Sequence, residues 1–217
     1  MAARAQPLTL PGPAGAIEAL LDLPDDAASA ATPRGTAVIA HPHPLFGGNM
    51  HNKVTHTLAR AFALCGWRAL RLNFRGVGAS AGSYDEGRGE LQDLLAVVAH
   101  QAPAGQPLAL AGFSFGAFVA AQAAGALHGA GRDIASLVLA GTAAGRFALA
   151  PLPPALRERA LVVHGERDDT VPLAAVLDWA RAQSLPVTVL PGGEHFFHGQ
   201  LTLLRSLAMR HVRGLAP

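Results

Sequence analysis

A run of apolar residues, Leu108–Phe113, leads into a Gly-Phe-Ser-Phe-Gly motif at Gly112–Gly116 and then into small, helix-favouring residues, Ala117–Leu127. Where a strand turns this sharply into a helix, the two elements approach closely. Glycines on both sides of Ser114 remove the Cβ atoms that would collide there. Short Gly-x-Ser-x-Gly matches also arise by chance, so the motif is informative here because a predicted strand precedes it and a predicted helix follows it. The pattern predicts a serine hydroxyl held above the end of a strand.

Strand-like and helix-like segments alternate along the rest of the chain, and most of the strands are continuous apolar runs, as in a parallel sheet buried on both faces. The predicted strands are Leu8–Leu10, Ile17–Leu23, Thr36–Ala40, Trp67–Phe74, Leu108–Phe113, Ile134–Ala140, Ala160–His164 and Val187–Leu190. The predicted helices are Asn52–Leu64, Gly89–His100, Ala117–Leu127, Leu173–Gln183 and Phe197–Arg213. This alternation predicts an α/β fold, with a mostly parallel sheet of about eight strands and helices on both faces. The first two strands are expected to pair, and Pro24–Pro33 is expected to be a surface loop.

Length and composition narrow the class of protein. With 217 residues, 50% of them hydrophobic, the chain is expected to form a single domain over residues 1–217. The net charge is +2, and the arginines are spread along the chain, so we expect no nucleic-acid partner. The N-terminal residues do not have the pattern of a signal peptide, and no apolar run is long enough for a membrane span. Cys65 is the only cysteine. We therefore expect a cytoplasmic protein without a membrane partner.

Three polar residues follow predicted strands within a few positions: Ser114, Asp168 and His195. In a parallel sheet, the loops at the carboxyl ends of the strands share one edge, so these side chains are expected to meet there. A serine hydroxyl needs an adjacent base to act as a nucleophile, and an imidazole base needs a carboxylate that fixes its tautomer. The three residues are therefore predicted to be catalytic. The competing acids are Asp169 and Glu166, and the competing base is His198.

Four segments together resemble the α/β-hydrolase superfamily, and more closely its small, lid-free serine hydrolases. These segments are His41–Met50, Asn73–Ser80, the motif around Ser114, and the pair His164–Pro172 with Gly192–His195. The resemblance covers nearly the whole chain and implies an α/β-hydrolase fold in which nucleophile, acid and base follow in that order. It also aligns Asp168 with the acid of the pattern His-Gly-x-x-Asp-x-x-Val-Pro. Fewer than twenty residues, 141–159, separate the sixth and seventh strands, so no cap domain is expected.

An acyl-transfer site also needs two N–H groups that bind the oxyanion of the tetrahedral intermediate. The backbone N–H of Phe115, at the start of the helix after the serine, is predicted to be one. The second is expected from the loop His41–Gly48, in which the two prolines lack an N–H. We predict Leu45 as this donor, with His43 as the alternative.

Two other patterns near the site are interpreted as structural. The histidines His41, His43 and His51 have no cysteine or carboxylate at metal-ligand spacing, so neither a metal nor a cofactor is predicted. The segment Arg75–Ser80 resembles a phosphate-binding loop only superficially, and we expect it to form a tight turn that holds neighbouring loops. A contact between Arg75 and an anionic substrate is a separate hypothesis.

Side chains expected beside the site are His43, Phe46 and Phe196, which suggest a shallow apolar pocket open to solvent. The sequence therefore predicts a serine hydrolase that acts on a small acyl substrate, a carboxylic ester with a short to medium acyl chain. A thioesterase, an acyltransferase or a peptidase would use the same three residues. A non-catalytic binding protein on the same fold is the further alternative.

Overall fold

The structure, a computed structural model, describes residues 5–215 apart from the side chains of residues 27 and 28. The single-domain prediction over residues 1–217 extends beyond this part at both ends. The N-terminal residues 1–4, which belong to the segment without a signal-peptide pattern, also lie outside it. No helix within residues 5–215 combines the length and the apolar character that crossing a lipid bilayer requires.

Eight strands of the described residues form one sheet in the order β1-β2-β4-β3-β5-β6-β7-β8. β1 and β2 form an antiparallel hairpin, β2 also runs antiparallel to β4, and all remaining neighbours are parallel. The strands are β1 Ala5–Gly12, β2 Gly15–Asp22, β3 Thr36–Ala40, β4 Arg68–Leu72, β5 Leu108–Phe113, β6 Ser136–Ala140, β7 Ala160–Gly165 and β8 Val187–Leu190. The predicted mostly parallel sheet and the pairing of the first two strands are confirmed.

Helices cover both faces of the sheet, each over its own apolar core. α2 and α7 bury one core, and α3, α4 and α6 bury the other. The strands β3, β5 and β6 between them have no exposed residue, which explains why their sequences are continuously apolar. The helices are α1 Ala27–Ala31, α2 Lys53–Ala63, α3 Arg88–Gln101, α4 Phe115–Gly129, α5 Pro154–Arg157, α6 Leu173–Arg181 and α7 Leu201–Gly214.

Two predicted segments differ from the structure. The last helix begins at Leu201 rather than at Phe197, because Phe197 has a φ of 54° and the backbone turns before the helix starts. The segment Pro24–Pro33, predicted to be a loop, contains the short helix α1. The N–H of Ser29 donates to the carboxylate of Asp26 at 2.7 Å, which stabilises the first turn of this alanine-rich segment.

The connection between β6 and β7 has no inserted layer. Residues 141–159 contain the four-residue helix α5, whose Leu156 packs into the core beside α6. The carboxyl ends of β5, β7 and β8 are therefore not covered by a separate domain. The expected absence of a cap domain agrees with this short connection.

Candidate active site

Ser114 lies in the turn between β5 and α4 with φ 56° and ψ −118°, a conformation that residues with a side chain rarely adopt. Its N–H donates to the carbonyl of Ala140 at 2.9 Å. A Cβ atom at Gly112 would lie 2.1 Å from the carbonyl oxygen of Gly116, and one at Gly116 would lie 2.3 Å from that of Ala40. Both glycines are therefore required by the close approach of β5, α4 and β3.

A hydrogen-bonded series joins the three side chains that the sequence singled out. Nδ1–H of His195 donates to Oδ2 of Asp168 at 2.7 Å, and Nε2 of the same ring lies 3.0 Å from Oγ of Ser114. Because Asp168 accepts from Nδ1, the lone pair of Nε2 faces the serine hydroxyl. All three residues are buried, with Ser114 the most accessible at 8% exposed. The arrangement can remove the hydroxyl proton of Ser114.

Asp168 is held as a carboxylate by donors on both of its oxygens. Oδ1 accepts from the backbone N–H groups of Thr170 and Val171 at 3.0 and 2.7 Å, and Oδ2 accepts from His195. Burial is the largest influence on its pKa and raises it. The hydrogen bonds from His195 and Val171, with a smaller electrostatic influence of the two neighbouring histidines, together outweigh burial, so the pKa of Asp168 is below its usual value.

The glycine-rich segment before His195 is hydrogen-bonded to the loop that follows β7. The N–H of Gly192 donates to the Glu166 carboxylate at 2.7 Å, and the N–H of Arg167 donates to the carbonyl of Gly193 at 2.8 Å. A Cβ at Gly165 would lie 2.4 Å from that carbonyl oxygen, so the two loops touch through backbone atoms. The imidazole of His195 is thereby fixed relative to the end of β7.

The alternative acid and the alternative base lie outside this hydrogen-bonded series. Asp169 is exposed, and among the described residues it accepts only from the neighbouring hydroxyl of Thr170, at 3.3 Å. His198 is exposed and lies 3.2 Å from the carboxylate of Glu194. Neither residue is hydrogen-bonded to the series of Ser114, His195 and Asp168.

The two predicted oxyanion donors differ in their surroundings. The N–H of Phe115 has no acceptor among the described residues, and it is the first N–H of α4, next to Ser114. The N–H of Leu45 donates to Nδ1 of His43 at 3.2 Å, so the second donor predicted from the sequence has an acceptor within the protein. The N–H of His43, the alternative, has none among residues 5–215. The His43 ring lies 5.0 Å from the Phe115 ring, beside the turn of Ser114.

His41 is fully buried and connects two loops. Its Nδ1–H donates to the carbonyl of Pro42 at 2.6 Å, and its Nε2 accepts from the N–H of Phe74 at 3.0 Å. Burial lowers the pKa of His41 to about 4, so the ring is neutral near pH 7. Both ring nitrogens are occupied, and no group of three His, Cys, Asp or Glu side chains within the described residues is placed to hold a metal ion.

Arg75 belongs to the turn after β4 and is paired with an acid of α3. Its guanidinium donates to both carboxylate oxygens of Asp93, which is buried, at 3.0 and 2.8 Å. Ser80 closes the same turn, donating to the carbonyl of Asn73 at 2.7 Å and accepting from the N–H of Glu18 at 3.0 Å. These contacts agree with the interpretation of this segment as a structural turn.

Aromatic side chains lie next to two neighbours of Ser114, the Phe115 that follows it and the His195 that is hydrogen-bonded to it. The centroid of the His43 ring lies 4.7 Å from that of Phe46 and 4.8 Å from that of Tyr84, and the His195 ring lies 5.1 Å from Phe196. Phe46 is 82% exposed and Phe196 is 45% exposed. We define the aromatic rim as His43, Phe46, Tyr84, Phe147 and Phe196.

Sequence reasoning missed two members of this rim and one neighbour of the acid. Tyr84 and Phe147 lie in irregular segments far from Ser114 along the chain, and no local pattern marks them. His164, which faces Asp168, stands at the start of the motif that was used to choose that acid. Its position in the motif was a signal, although no role was assigned to it.

Comparisons with known proteins agree with the fold. Residues 31–161 match the family described as serine aminopeptidase, S33. A lid-free α/β serine hydrolase from Xanthomonas campestris is 39% identical, with a TM-score of 0.87, covering 99% of this chain and 96% of that one. An α/β serine hydrolase homologue from Coxiella burnetii is 36% identical, with a TM-score of 0.77, covering 94% of this chain and 96% of its own.

One curated relative also matches, an uncharacterised protein of Rickettsia prowazekii that is 41% identical over 115 residues. This match covers 51% of the chain and 46% of the relative, so the chain spans about half of the relative's length. The family match covers more than half of the chain, and both solved structures are covered almost completely. The chain belongs to the family described as serine aminopeptidase, S33, and therefore to the serine hydrolases of the α/β-hydrolase superfamily.

Proposed function

We propose that this protein hydrolyses carboxylic esters with short to medium acyl chains, with Ser114 as nucleophile, His195 as base and Asp168 as the acid that orients it. The observation that carries the proposal is the hydrogen-bonded series with separations of 3.0 and 2.7 Å. Both lie within or close to the range in which a proton can pass directly between the heavy atoms.

The reaction follows from the placement of these atoms. Oγ of Ser114 attacks the ester carbonyl carbon while its proton passes to Nε2 of His195, and the carbonyl oxygen takes up the negative charge. His195 then gives this proton to the departing alkoxide, which leaves as the alcohol, and the acyl group stays on Ser114. A water molecule, deprotonated by His195, attacks the acyl carbon, and Ser114 regains its proton as the acid leaves. Asp168 stabilises the imidazolium that forms in each half of the reaction.

The oxyanion requires donors that are not already bonded within the protein. The N–H of Phe115, which has no acceptor within residues 5–215 and lies at the positive end of α4, meets this requirement. For the second donor, the contact between Leu45 and His43 favours the N–H of His43 over that of Leu45. We therefore revise the assignment made from the sequence and propose Phe115 with His43.

The substrate class is argued from the surroundings of Ser114. The aromatic rim offers apolar surface beside Phe115 and beside His195, partly open to solvent, and the short connection 141–159 inserts no further domain. An open apolar rim suits a small ester whose acyl chain lies along the ring faces. Cys65, the single cysteine, is buried and free, which fits the cytoplasm, where we propose that the enzyme acts.

A peptidase is the second candidate, because the matched family is described as a serine aminopeptidase. An aminopeptidase must bind the ammonium group of its substrate, which requires an accessible carboxylate near the nucleophile. The aromatic rim supplies none, Asp168 is already occupied by its own donors, and the exposed carboxylate of Glu194, next to His195, lies 3.2 Å from His198. The site therefore supports an esterase better than an aminopeptidase.

The test is a series of p-nitrophenyl esters from acetate to decanoate, compared with aminoacyl p-nitroanilides. We expect ester turnover to exceed anilide turnover, with the highest kcat/KM between the butyrate and octanoate esters. Ser114→Ala should lose at least about three decades of ester turnover, whereas the exposed Ser206→Ala should keep it. Unchanged turnover in Ser114→Ala would end the proposal, and preference for the anilides would replace the esterase with the peptidase.

A further inference from the structure

A cleft of about 910 Å³ lies at the opposite edge of the sheet from Ser114. Its lining includes residues that stand at or just before the amino ends of the strands: Trp67 before β4, Pro107 before β5, Ser136 at the start of β6 and Arg159 before β7. Ser114 follows the carboxyl end of β5, so the cleft is separate from the candidate active site. Its volume lies within the range of small-molecule sites.

Two arginines build the walls of this cleft. Nη2 of Arg132 donates to three carbonyl oxygens of residues 102–106, at 3.3, 2.9 and 2.7 Å. Nη1 of Arg159 donates to the carboxylate of Asp133 at 2.5 Å and to the carbonyl of Ile134 at 3.0 Å. These contacts tie the loops before β5, β6 and β7 into one frame. The remaining N–H groups of both guanidiniums have no acceptor among the described residues.

Two buried side chains in the lining have polar atoms without a partner. Trp67 is 6% exposed and Ser136 is 1% exposed, yet the indole Nε1–H and the hydroxyl oxygen find no hydrogen bond among the described residues. Leaving a buried polar group without a hydrogen-bond partner is destabilising. An indole N–H can only donate, so the group that would satisfy it is an acceptor.

The excess of positive charge in the cleft also favours a ligand that carries hydrogen-bond acceptors. Three arginines and one aspartate line it, and the exposed guanidinium of Arg34 makes no hydrogen bond within residues 5–215. The rest of the lining is largely apolar, with Trp67 and Val212 among its members. A ligand that fits both features carries a negative charge at one end and an apolar body at the other.

We propose that this cleft binds a small organic anion, a monocarboxylate with an apolar body, whose carboxylate is recognised by Arg34 with donors left free on the cleft walls. The apolar body lies against Trp67 and the end of α7. This binding does not require the chemistry at Ser114, so it can be tested independently of the proposed esterase function.

The test uses octanoate as the ligand and octan-1-ol as its neutral counterpart. The chain has two tryptophans, so Trp179→Phe leaves Trp67 as the only indole, and octanoate is optically silent at the excitation wavelength. Measurements are made in the Ser114→Ala background, which removes turnover. We expect octanoate to change the Trp67 emission with saturation, and octan-1-ol to bind at least about tenfold more weakly.

Matched variants locate the ligand. Arg34→Gln should weaken octanoate binding about tenfold, whereas Arg210→Gln, an exposed arginine of α7 outside the lining, should leave it unchanged. Ser136→Ala, which removes one unpartnered hydroxyl, should weaken it less. If Trp179→Phe fails to fold, calorimetric titration of the arginine variants in the otherwise native chain gives the same comparison. Equal affinity for octanoate and octan-1-ol, or equal affinity in both arginine variants, would overturn the proposal.

Discussion

Nε2 of His164 lies 3.3 Å from Oδ2 of Asp168, the same oxygen that accepts from His195. His164 is fully buried, and its Nε2–H donates to the carbonyl of Val171 at 2.9 Å. Burial lowers the pKa of His164, which therefore faces the carboxylate as a neutral ring. The acid is thus flanked by two imidazoles with different surroundings.

His164 is a positioning residue on this geometry, since it holds the loop Asp168–Val171 and does not touch Ser114. We expect His164→Phe, which keeps a ring of similar size without the N–H, to lower kcat about tenfold with little change in KM. Because the N–H beside Asp168 is lost, the lower apparent pKa in the pH profile of kcat should also rise. The exposed His198→Phe is the control. A change in KM alone, with an unaltered pH profile, would contradict this role.

Asp168 and its neighbour Asp169 provide a matched pair for the proposed acid. Asp168→Asn removes the charge that stabilises the imidazolium of His195, and the amide can favour the wrong tautomer of its ring. We expect kcat to fall by about three to four decades in Asp168→Asn and by less than about twofold in Asp169→Asn, measured with p-nitrophenyl butyrate. Similar losses in the two variants would remove Asp168 from its assigned role.

Glycines of α4 differ in the space around them, which predicts opposite effects of alanine. A Cβ at Gly116 would lie 2.3 Å from the carbonyl oxygen of Ala40, whereas Gly125 has open space around it. Gly116→Ala should lower the free energy of unfolding by more than about 2 kcal/mol and displace the turn of Ser114. Gly125→Ala should raise it by up to about 1 kcal/mol, because alanine favours a helix more than glycine does. Urea denaturation measures both, and a folded, fully active Gly116→Ala protein would refute the steric argument.

His41 makes stability depend on pH in a defined direction. Its pKa is about 4 when folded and 6.5 as the ordinary value, so below pH 6.5 the unfolded chain binds a proton that the folded one does not. Stability is therefore lost as pH falls from 6.5 to 4, with no further change below 4. Between pH 7 and 5 this amounts to about 2 kcal/mol. We expect His41→Gln, which does not titrate, to remove that part of the slope in urea denaturation, and an unchanged slope would show that His41 titrates normally.

The exposed ring of Phe46 predicts a dependence on acyl-chain length. If the acyl chain lies on this ring, Phe46→Ala should lower kcat/KM about tenfold for p-nitrophenyl hexanoate and less than twofold for the acetate. Leu203, an exposed apolar residue of α7, offers the control Leu203→Ala. Equal losses for both esters would place the acyl chain elsewhere.

Most of the sheet and helices could be predicted because their signals are local. Continuous apolar runs mark strands buried on both faces, and the pair of glycines around Ser114 marks the turn from β5 to α4. The start of the last helix was misplaced because Phe197 is apolar and fits a helical pattern. Its positive φ depends on the turn that follows His195, which composition does not reveal.

The amino-acid sequence by itself determined the α/β class and the turn at Ser114, and it singled out Ser114, Asp168 and His195 as candidates, because each of these depends on local pattern or chain order. Only the tertiary structure decided that Leu45 donates to His43, that His164 faces Asp168, and that Tyr84 and Phe147 join the aromatic rim. These contacts join loops distant along the chain, or depend on the rotation of single side chains. Their distances are set by how the strands and helices pack, which no short stretch of sequence encodes.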